Sequence, residues 1–506
     1  MIITRYKNKH FLNKERFFDL TIVILASILF YFSTKWGLNF AGGDAMAYFE
    51  MATLAQNGEG VFSKITSPIL QSPTHWSPGI SFLAAFFAKI TNIKILSIFT
   101  FLNYILLIFN LLLFKKISKT LLESENYVFF ATSLFSLSYS TLTCHLELSS
   151  EPLFTVFTFL GFIFWKKYEN KSETKDLIFV ALFFGLAAIT RYVGVILVVP
   201  VLYFLLFKEK INKQKIIVFC CVFAIFPSLI FLRNHLLFNE ISDRNLVFHP
   251  LPFRKILQFG QTILAWFSPL IYEKKYQIFG IFTSTISIFI FGKILYIYLK
   301  SRNYKQNITF YTIFVVIYLA FLVFSISVFD VFTDLDYRIL YPIFPFFLLG
   351  IFYVLEQEKA FILEKKILII LLFSTYILSA FFMTYKNYTQ GNDGSTSPKY
   401  QQDKGILFLK EKYPNTKIYS NIPDILKMNG LENVAYTPSV FNPCSLLENK
   451  NMEAEMNVQI ADFQAKKAIF IFARSTFRNY RVSEKEISAK IKQKIDTLSE
   501  NILILQ

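Results

Sequence analysis

Carboxylates and arginines gather in the polar segments that separate long apolar runs of this sequence. The first such segment contains GGDAMAYFEMA, with Asp44, Tyr48 and Glu50. A carboxylate just outside an apolar run is free to ionise at a bilayer surface, whereas at the membrane centre the same charge costs about 3 kcal/mol or more. The two glycines permit an unusual backbone before a helix, so Asp44 is expected at the helix N-cap. Capping would also orient its carboxylate for chemistry, although capping alone is the simpler interpretation.

Two further acids, Glu147 and Glu151, occur in HLELSSEP at a turn between apolar runs. External carboxylates are ordinarily solvated, but together with Asp44 on the same face they predict an acidic pocket. His75 lies in SPTHWSPG, where prolines stiffen the chain. A lone His is more often structural than catalytic, and the adjacent Trp76 is typical of an anchor at a membrane interface.

The third set of candidates is basic and lies in the same polar segments. It comprises Arg191 in AAITRYVGV, Arg233 and Asn234 in FLRNHLLFN, and Arg338 after Asp336 and Tyr337 in DLDYRILYPIFP. Arginines on the translocated side of a membrane run against the positive-inside bias and need an explanation. A phosphate ligand supplies one, because a guanidinium binds phosphate oxygens bidentately. Ion pairing with Asp334, Asp336 or Glu151 is the alternative.

The apolar runs between these segments predict membrane-spanning helices. Of 506 residues, 54% are hydrophobic and 61 are Phe. The runs repeat up to about residue 385, each near the ~20 residues that cross ~30 Å of hydrocarbon. The net charge of +17 would suggest nucleic acid in a soluble protein, but here lysines cluster in short loops, where they set orientation, and no nucleic-acid partner is expected. The four cysteines show no disulfide or metal-ligand spacing.

The lysines also predict the topology. Basic residues before the first run place the N-terminus in the cytoplasm. The apolar stretch at residues 77–90 is short for a full membrane crossing. Every lysine cluster between spans falls on the cytoplasmic side only if residues 77–90 are re-entrant or lie at the outer interface. This gives about 11 full spans, with the acids and arginines on the outer face. The predicted spans are 18–38, 93–114, 127–145, 148–165, 177–190, 192–207, 216–238, 278–299, 308–329, 339–355 and 367–385.

The predicted fold class is an α-helical polytopic membrane protein with a small C-terminal α/β domain. Residues 1–17 form a cytoplasmic N-terminus, and residues 18–385 form the transmembrane domain, with its first external loop at 39–92. Residues 386–397 have the Gly, Ser and Pro content of a linker. In residues 398–506, charged helical patterns alternate with apolar strands, which indicates an extracytoplasmic soluble domain.

In this order, the motifs resemble those of the GT-C superfamily of membrane glycosyltransferases. The similarity is strongest to the branch of the lipid A aminoarabinose transferase, protein O-mannosyltransferases and lipopolysaccharide-core glycosyltransferases. It covers about residues 18–385, and KIYSNIPDIL shows a weaker similarity to the outer domain of many family members. The motifs that carry it are GGDAMAYFEMA, HWSPG, ELSSEPLF, AAITRYVGV, FLRNHLLF and YRILYPIFP. The chain departs from the family pattern by having a single Asp in the first loop and Ser77 in place of a Pro. The resemblance therefore leaves open a divalent metal as cofactor.

The resemblance implies a GT-C fold of about 11–13 transmembrane helices in a bacterial inner membrane. It also implies transfer of a sugar from a polyprenyl-phosphate donor to a hydroxyl of a glycolipid, polysaccharide or protein. This reaction would take place outside the cytoplasm, and the protein would contact membrane lipids. In that chemistry Asp44 would be the base, Arg338 and Arg191 would bind the phosphate, and direct displacement would invert the anomeric carbon. His75, Tyr48 and Glu151 would touch sugar or phosphate. The second-tier residues would be Glu50, Glu147, Arg233, Asn234, Asp336 and Tyr337.

Three alternatives remain at the level of sequence. A lipid-linked sugar flippase or transporter would favour inverted repeats, paired broken helices and midplane charges, which the sequence does not show. An O-antigen polymerase or ligase typically has its largest external loop late in the chain, whereas the catalytic-looking loop here comes first. An inactive scaffold is the third alternative.

Overall fold

The computed structural model describes residues 2–40, 42–59, 76–207, 213–238, 246–300, 309–392, 394–442, 444–473 and 480–505. Helices α1–α15 make up the membrane part of the described chain. Their bounds are α1 Ile2–Ser33, α2 Gly42–Gln56, α3 Gly79–Thr91, α4 Ile95–Leu121, α5 Glu125–Leu137, α6 Tyr139–Leu146, α7 Glu151–Lys171, α8 Thr174–Thr190, α9 Val198–Phe207, α10 Lys213–Phe238, α11 Phe253–Phe267, α12 Gln277–Lys300, α13 Thr309–Val328, α14 Phe344–Gln357 and α15 Ile362–Gln390.

Five described helices, α4, α10, α12, α13 and α15, are long and apolar enough to cross a membrane. Four shorter apolar helical segments accompany them: Phe17–Ser33, Gly79–Thr91, Tyr192–Phe207 and Tyr341–Gln357. Large apolar side chains on these helices are exposed, among them Ile278 (85%) and Phe289 (75%) on α12. Exposed apolar surface on this scale is stable only against hydrocarbon. The chain is therefore a multi-pass membrane protein, while the number of about 11 spans stays a prediction.

Helix α3 has two different faces. Ile80, Ala84 and Ala88 are buried against the protein, whereas Phe82 and Phe86 are exposed. Its 13 residues cover about 20 Å, which is less than the ~30 Å thickness of the hydrocarbon. This length agrees with a segment that does not cross fully, and its placement as re-entrant or interfacial stays a prediction.

The predicted span 127–145 is wrong as a single helix, because the chain breaks at Ser138. This residue is extended, with φ −68° and ψ 141°, and its hydroxyl accepts a hydrogen bond from the backbone N–H of Thr141. A serine that bonds the local backbone in this way competes with helix continuation. The break separates α5 from the short buried α6, which ends beside the acids of HLELSSEP.

The predicted span 339–355 is also too long at its start, since α14 begins only at Phe344 after a 3₁₀ turn at Tyr341–Ile343. Pro342 and Pro345 lie at these helix starts, where a proline is tolerated because its missing N–H would have no helical partner. The late start leaves Arg338 in a loop outside the helix.

The C-terminal domain is a five-stranded sheet covered by helices. The strand order is β2-β1-β3-β5-β4, with β2, β1 and β3 parallel and β5 antiparallel to both β3 and β4. Strands β2 and β4 were not expected from sequence because they have only 3 and 2 residues. The bounds are α16 Pro398–Gln401, α17 Lys404–Lys412, β1 Lys417–Ser420, α18 Pro423–Met428, β2 Val434–Tyr436, α19 Met452–Gln464, β3 Ala468–Ala473, α20 Glu484–Ile491, β4 Asp496–Thr497 and β5 Ile502–Leu505.

Strand β3 shows why this sheet is stable. Its residues alternate between two apolar clusters, with Ile469 and Ile471 on one face and Phe470 and Phe472 on the other. Successive side chains of a strand point to opposite faces, so a continuous apolar run can be buried on both sides. The predicted α/β class is confirmed by this sheet and its covering helices.

The two parts of the chain meet beside the segment that precedes α2. Helix α15 extends to Gln390, into the segment expected as a linker, and the chain then runs along residues 38–40. The Ser395 N–H donates to the Phe40 carbonyl at 3.1 Å. On its other side, the Asn39 N–H donates to the Leu146 carbonyl at 2.7 Å. The start of α2 is thus held between the acidic turn and the C-terminal domain.

Candidate active site

Asp44 lies in the first turn of α2. The expectation that Asp44 caps this helix is wrong, because the helix already begins at Gly42. The first-turn N–H groups have no intrahelical partners and carry partial positive charge, which stabilises a carboxylate at this position. Asp44 is therefore oriented by the helix start, as expected, but from within the helix.

Two donors from distant segments fix the Asp44 carboxylate. The indole N–H of Trp76 donates to Asp44 Oδ1 at 2.9 Å, and Arg338 Nη1 donates to Oδ2 at 3.0 Å. The Asp44 side chain keeps 40% of its surface exposed. It is therefore held in one orientation and still accessible.

Glu151 is the buried centre of the site. It is the first residue of α7, and its side chain is only 2% exposed. Its Oε1 atom pairs with Nη1 of Arg191 and lies 3.7 Å from Nε of Arg338. One buried carboxylate thus holds two guanidinium groups together, which would otherwise repel each other in a poorly solvated site.

Arg191 is positioned by the tight end of α8. It is the C-cap of this helix, with an extended backbone, and a 3₁₀ helix follows at once. Gly194 permits this turn, because a Cβ there would lie 2.6 Å from the Ala188 nitrogen. Gly79 at the start of α3 packs equally closely on the Ile189 carbonyl, to which the Ser77 hydroxyl donates. These close backbone contacts fix Arg191 beside Trp76 and α3.

Arg338 is positioned by a loop that Asp336 stabilises. Oδ1 of Asp336 accepts hydrogen bonds from the backbone N–H groups of Arg338 at 3.0 Å and Ile339 at 3.1 Å. Burial raises the pKa of Asp336, and the nearby Arg338 charge opposes this effect. Asp336 therefore supports the loop that presents Arg338 and does not itself line the cavity.

Tyr48 completes the polar end of the site. It lies one helical turn after Asp44, on the same face of α2. Its hydroxyl lies 3.1 Å from Ser150 Oγ, which in turn accepts from Arg191 Nη1 at 3.4 Å. Tyr48, Ser150 and Arg191 therefore form a hydrogen-bonded side of the site.

These side chains line a single cavity of about 380 Å³. Its polar end holds the predicted residues Asp44, Glu151, Arg191 and Arg338. Its remaining wall is largely apolar and comes from the chain near Val193, from α10 and from α13. The lining residues are Asp44, Tyr48, Trp76, Ser77, Ser150, Glu151, Arg191, Tyr192, Val193, Val195, Phe231, Phe321, Leu322, Ser325, Phe329, Asp330, Thr333, Arg338 and Ile339. A cavity of this size and composition suits a ligand with an anionic group and an apolar part.

Glu147 belongs to a neighbouring cluster. It is buried, and its Oε1 accepts from the Tyr337 hydroxyl at 2.8 Å and from Asn39 Nδ2 at 3.3 Å. Burial raises the pKa of Glu147 from 4.5 to about 7, although the charge of Arg338 and the Tyr337 hydrogen bond lower it. The hydrogen bonds of Glu147 join three segments, which precede α2, α7 and α14 respectively. Neither Glu147 nor Tyr337 lines the cavity.

Three other candidates lie away from the cavity or cannot be placed. Glu50 lies on another face of α2 and pairs with Lys427 at 2.6 Å. Arg233 Nη1 donates to Asn234 Oδ1 at 2.9 Å near the end of α10, and neither residue lines the cavity. His75 lies outside the described residues.

Several cavity residues escaped the sequence analysis. Trp76 was interpreted as a membrane anchor, and Ser150, Asp330 and Thr333 were not singled out. Trp76 and Ser150 lie in the motifs HWSPG and ELSSEPLF, but neither motif shows that these side chains line a cavity. In the described part of the chain, no three His, Cys, Asp or Glu side chains come together as metal ligands.

A family comparison matches part of the membrane domain. Residues 73–232 match the sequence model of the dolichyl-phosphate-mannose-protein mannosyltransferase family. This range contains Trp76, Glu151 and Arg191 but neither Asp44 nor Arg338. None of the curated proteins matches the chain by sequence.

Solved structures extend the likeness to nearly the whole chain. ArnT from Cupriavidus metallidurans in the apo state aligns with a TM-score of 0.58 at 10% identity, over 96% of this chain and 97% of that chain. The same enzyme bound to undecaprenyl phosphate aligns with a TM-score of 0.56 at 10% identity, with the same coverage. The arabinofuranosyltransferase AftD from Mycobacteria aligns at 0.56 and 11% identity, over 97% of this chain but 40% of AftD.

At such low identity, the structural matches show the fold, with the membrane helices and the small C-terminal sheet in a common arrangement. The family match lies within the same fold and covers the helices that present Glu151 and Arg191. The chain is therefore similar in fold to ArnT and AftD along nearly its whole length, and similar in sequence to the mannosyltransferase family over residues 73–232.

Proposed function

We propose that the protein transfers a sugar from a polyprenyl-phosphate-linked donor to a hydroxyl of a cell-envelope glycolipid, polysaccharide or protein. The reaction takes place at the outer face of a bacterial inner membrane, with the N-terminus in the cytoplasm and the C-terminal domain outside. The observation that carries this proposal is the cavity in which Asp44 faces Arg191 and Arg338 beside an apolar wall.

The two arginines favour a donor that contains a phosphate. Glu151 and Asp44 balance the two positive charges of Arg191 and Arg338, and a bound phosphate would compete with Asp44 for Arg338. A phosphodiester carries one negative charge and can accept hydrogen bonds from both guanidinium groups. The apolar wall, which includes Phe321, Leu322 and Phe329, would cover the first isoprene units of the carrier. The ArnT relative that binds undecaprenyl phosphate supports a lipid phosphate as the ligand class.

Asp44 is the group placed to accept the acceptor's proton. In the transfer, the hydroxyl oxygen bonds to the anomeric carbon as the bond from that carbon to the phosphate oxygen breaks. The hydroxyl proton passes to Asp44, and the electron pair of the broken bond leaves with the polyprenyl phosphate. The departing phosphate gains a negative charge, which Arg191 and Arg338 stabilise.

The same geometry favours inversion at the anomeric carbon. Retention by double displacement needs a second carboxylate as nucleophile. Of the other lining carboxylates, Glu151 is 2% exposed and paired with Arg191, and Asp330 accepts hydrogen bonds from the Phe332 N–H and the Thr333 hydroxyl. A carboxylate held in this way is a poor nucleophile, and direct displacement requires only Asp44.

The test is a transfer assay with labelled polyprenyl-phosphate sugars in membranes that contain the wild type or Asp44→Asn. Asn keeps the volume and a hydrogen-bonding oxygen for Trp76 but cannot accept a proton, so we expect transfer to fall by about 10²–10⁴-fold. Asp462→Asn is the matched control, since Asp462 pairs with Lys417 inside the C-terminal domain. The same assay with and without EDTA tests the need for a divalent metal.

Equal transfer by Asp44→Asn and the wild type would remove Asp44 as the base. Transfer by neither protein with any donor, from folded and purified samples, would favour a flippase or a scaffold. Product anomers that retain the donor configuration would contradict direct displacement.

A further inference from the structure

The two faces of α2 have different partners. Asp44 and Tyr48 are one turn apart and face the cavity. Met46 and Glu50 are also one turn apart. Met46 follows Asp44 by two residues and Glu50 follows Tyr48 by two, and two residues along a helix lead to nearly the opposite side. Both are buried, at 1% and 3% exposure. The helix that carries Asp44 is therefore packed on both sides.

The C-terminal domain covers the Met46 and Glu50 side. Nζ of Lys427, on α18, lies 2.6 Å from Glu50 Oε1. The Lys427 side chain is 21% exposed and that of Glu50 is 4% exposed. Met46 packs beside this pair against Tyr436 at the end of β2. A buried carboxylate needs such a cation, because an uncompensated charge there is strongly unfavourable.

The same domain holds a second wall of the cavity. Its Cys444 carbonyl accepts from the Val331 N–H at 3.1 Å, and the ring of Tyr480 lies 5.8 Å from the ring of Phe332. Val331 and Phe332 lie between Asp330 and Thr333, which line the cavity. The C-terminal domain therefore supports two segments that line the cavity, and Lys427 supplies an ion pair to the helix of Asp44.

We propose that Lys427 is a positioning residue, which fixes α2 and thereby Asp44 through its ion pair with the buried Glu50. The proposal rests on the proposed function in so far as Asp44 is the base. It gives the C-terminal domain a role in building the site, separate from any contact with acceptor. Without the Lys427 charge, the buried Glu50 would lose this ion pair, and the first turn of α2 would be held less firmly opposite Arg338.

The experiment compares full-length wild type, Lys427→Met and Lys427→Arg in lipid nanodiscs. Amide hydrogen exchange along α2 is measured together with transfer kinetics. We expect Lys427→Met to raise exchange in α2 and to lower kcat about tenfold, with donor KM unchanged within about twofold. Lys427→Arg keeps the charge and should restore both values. Lys417→Met is the control, because it breaks a 2.9 Å ion pair with Asp462 that lies within the domain.

Unchanged exchange in α2 of Lys427→Met would overturn the proposal, as would an equal effect of Lys417→Met. A parallel rise in donor KM would also contradict it, since the Arg191 and Arg338 side does not contact Lys427. If the wild type transfers no sugar, the proposed function fails, whereas the exchange measurement still decides whether Lys427 orders α2. Glu50→Gln provides a second variant of similar volume and should reproduce the Lys427→Met exchange pattern.

Discussion

Arg338 donates a hydrogen bond to Asp44 at 3.0 Å, across a separation of 294 residues in sequence. The same guanidinium lies 3.7 Å from Glu151, so Arg338 is shared between two acids. A phosphate that enters the cavity would compete for Arg338. If the Arg338 side chain moved toward the phosphate, it would release the Asp44 oxygen that the proposed transfer requires. Donor binding would in this way prepare the base.

Replacing Arg338 by Lys tests this role of the guanidinium. Lysine keeps the charge but cannot bind a phosphate bidentately or bridge Asp44 and Glu151. We expect kcat/KM for the lipid-linked donor to fall by about 10²-fold. Arg254→Lys is the matched control, because Arg254 is 72% exposed and contacts Asp334 outside the cavity lining. Similar losses in both variants would show that the effect is not specific to the cavity.

Glu151→Gln removes the charge that holds Arg191 and Arg338 together. Two guanidinium groups would then face each other with little solvent, and breaking a buried pair of this kind costs about 3–5 kcal/mol. We expect a clearly lower thermal unfolding temperature in detergent, which an added lipid phosphate partly restores. Glu358→Gln, at an exposed helix end, is the control. An unchanged unfolding temperature in Glu151→Gln would rule out this stabilising role.

Trp76→Phe tests whether the indole N–H orients the base. Phenylalanine keeps an aromatic ring but removes the hydrogen bond to Asp44. We expect kcat to fall about tenfold while donor KM stays the same, because Asp44 loses a hydrogen bond that orients its carboxylate. Trp36→Phe is the control, since the Trp36 indole donates to the Tyr388 carbonyl at 3.2 Å. A rise in donor KM without a change in kcat would assign Trp76 to donor binding instead.

Glu147 predicts a pH dependence of stability. Its pKa rises from 4.5 to about 7 on folding, so between these values the folded protein binds more protons than the unfolded chain. The contribution of the protonated carboxyl is complete below pH 4.5 and is lost as the pH rises through about 7, by roughly 3 kcal/mol. Thermal unfolding of the wild type and Glu147→Gln from pH 5 to 8 measures this contribution. As the pH rises, the unfolding temperature of the variant should increase relative to that of the wild type. Parallel curves would contradict the prediction.

The helical membrane class could be predicted because the length of an apolar run is a local property, whereas the topology inferred from lysine placement stays a prediction. The helix break at Ser138 could not be predicted, since serine is common inside helices and only its bond to Thr141 shows the break. Strand β4 has two residues, which is too short for any periodic pattern.

The composition of the site was partly predictable and its geometry was not. Asp44, Arg191 and Arg338 stood out as charged residues beside apolar runs, and the structure brings them to one cavity. Glu50 was assigned to the same site, although six residues along a helix place it on another side from Asp44. The sequence suggests a membrane-interface anchor for Trp76, because its hydrogen bond to Asp44 is defined only by the fold.

The pairing of Glu50 with Lys427 also sets an order of events during synthesis. The two residues are 377 positions apart. At a translation rate of about 5–20 residues per second, α2 is made roughly 20–75 s before Lys427 exists. Throughout that interval the growing chain lacks Lys427, which pairs with this buried carboxylate in the folded protein. The synthesis of α18 therefore decides when this contact on α2 can form, and chains that stop before Lys427 never make it.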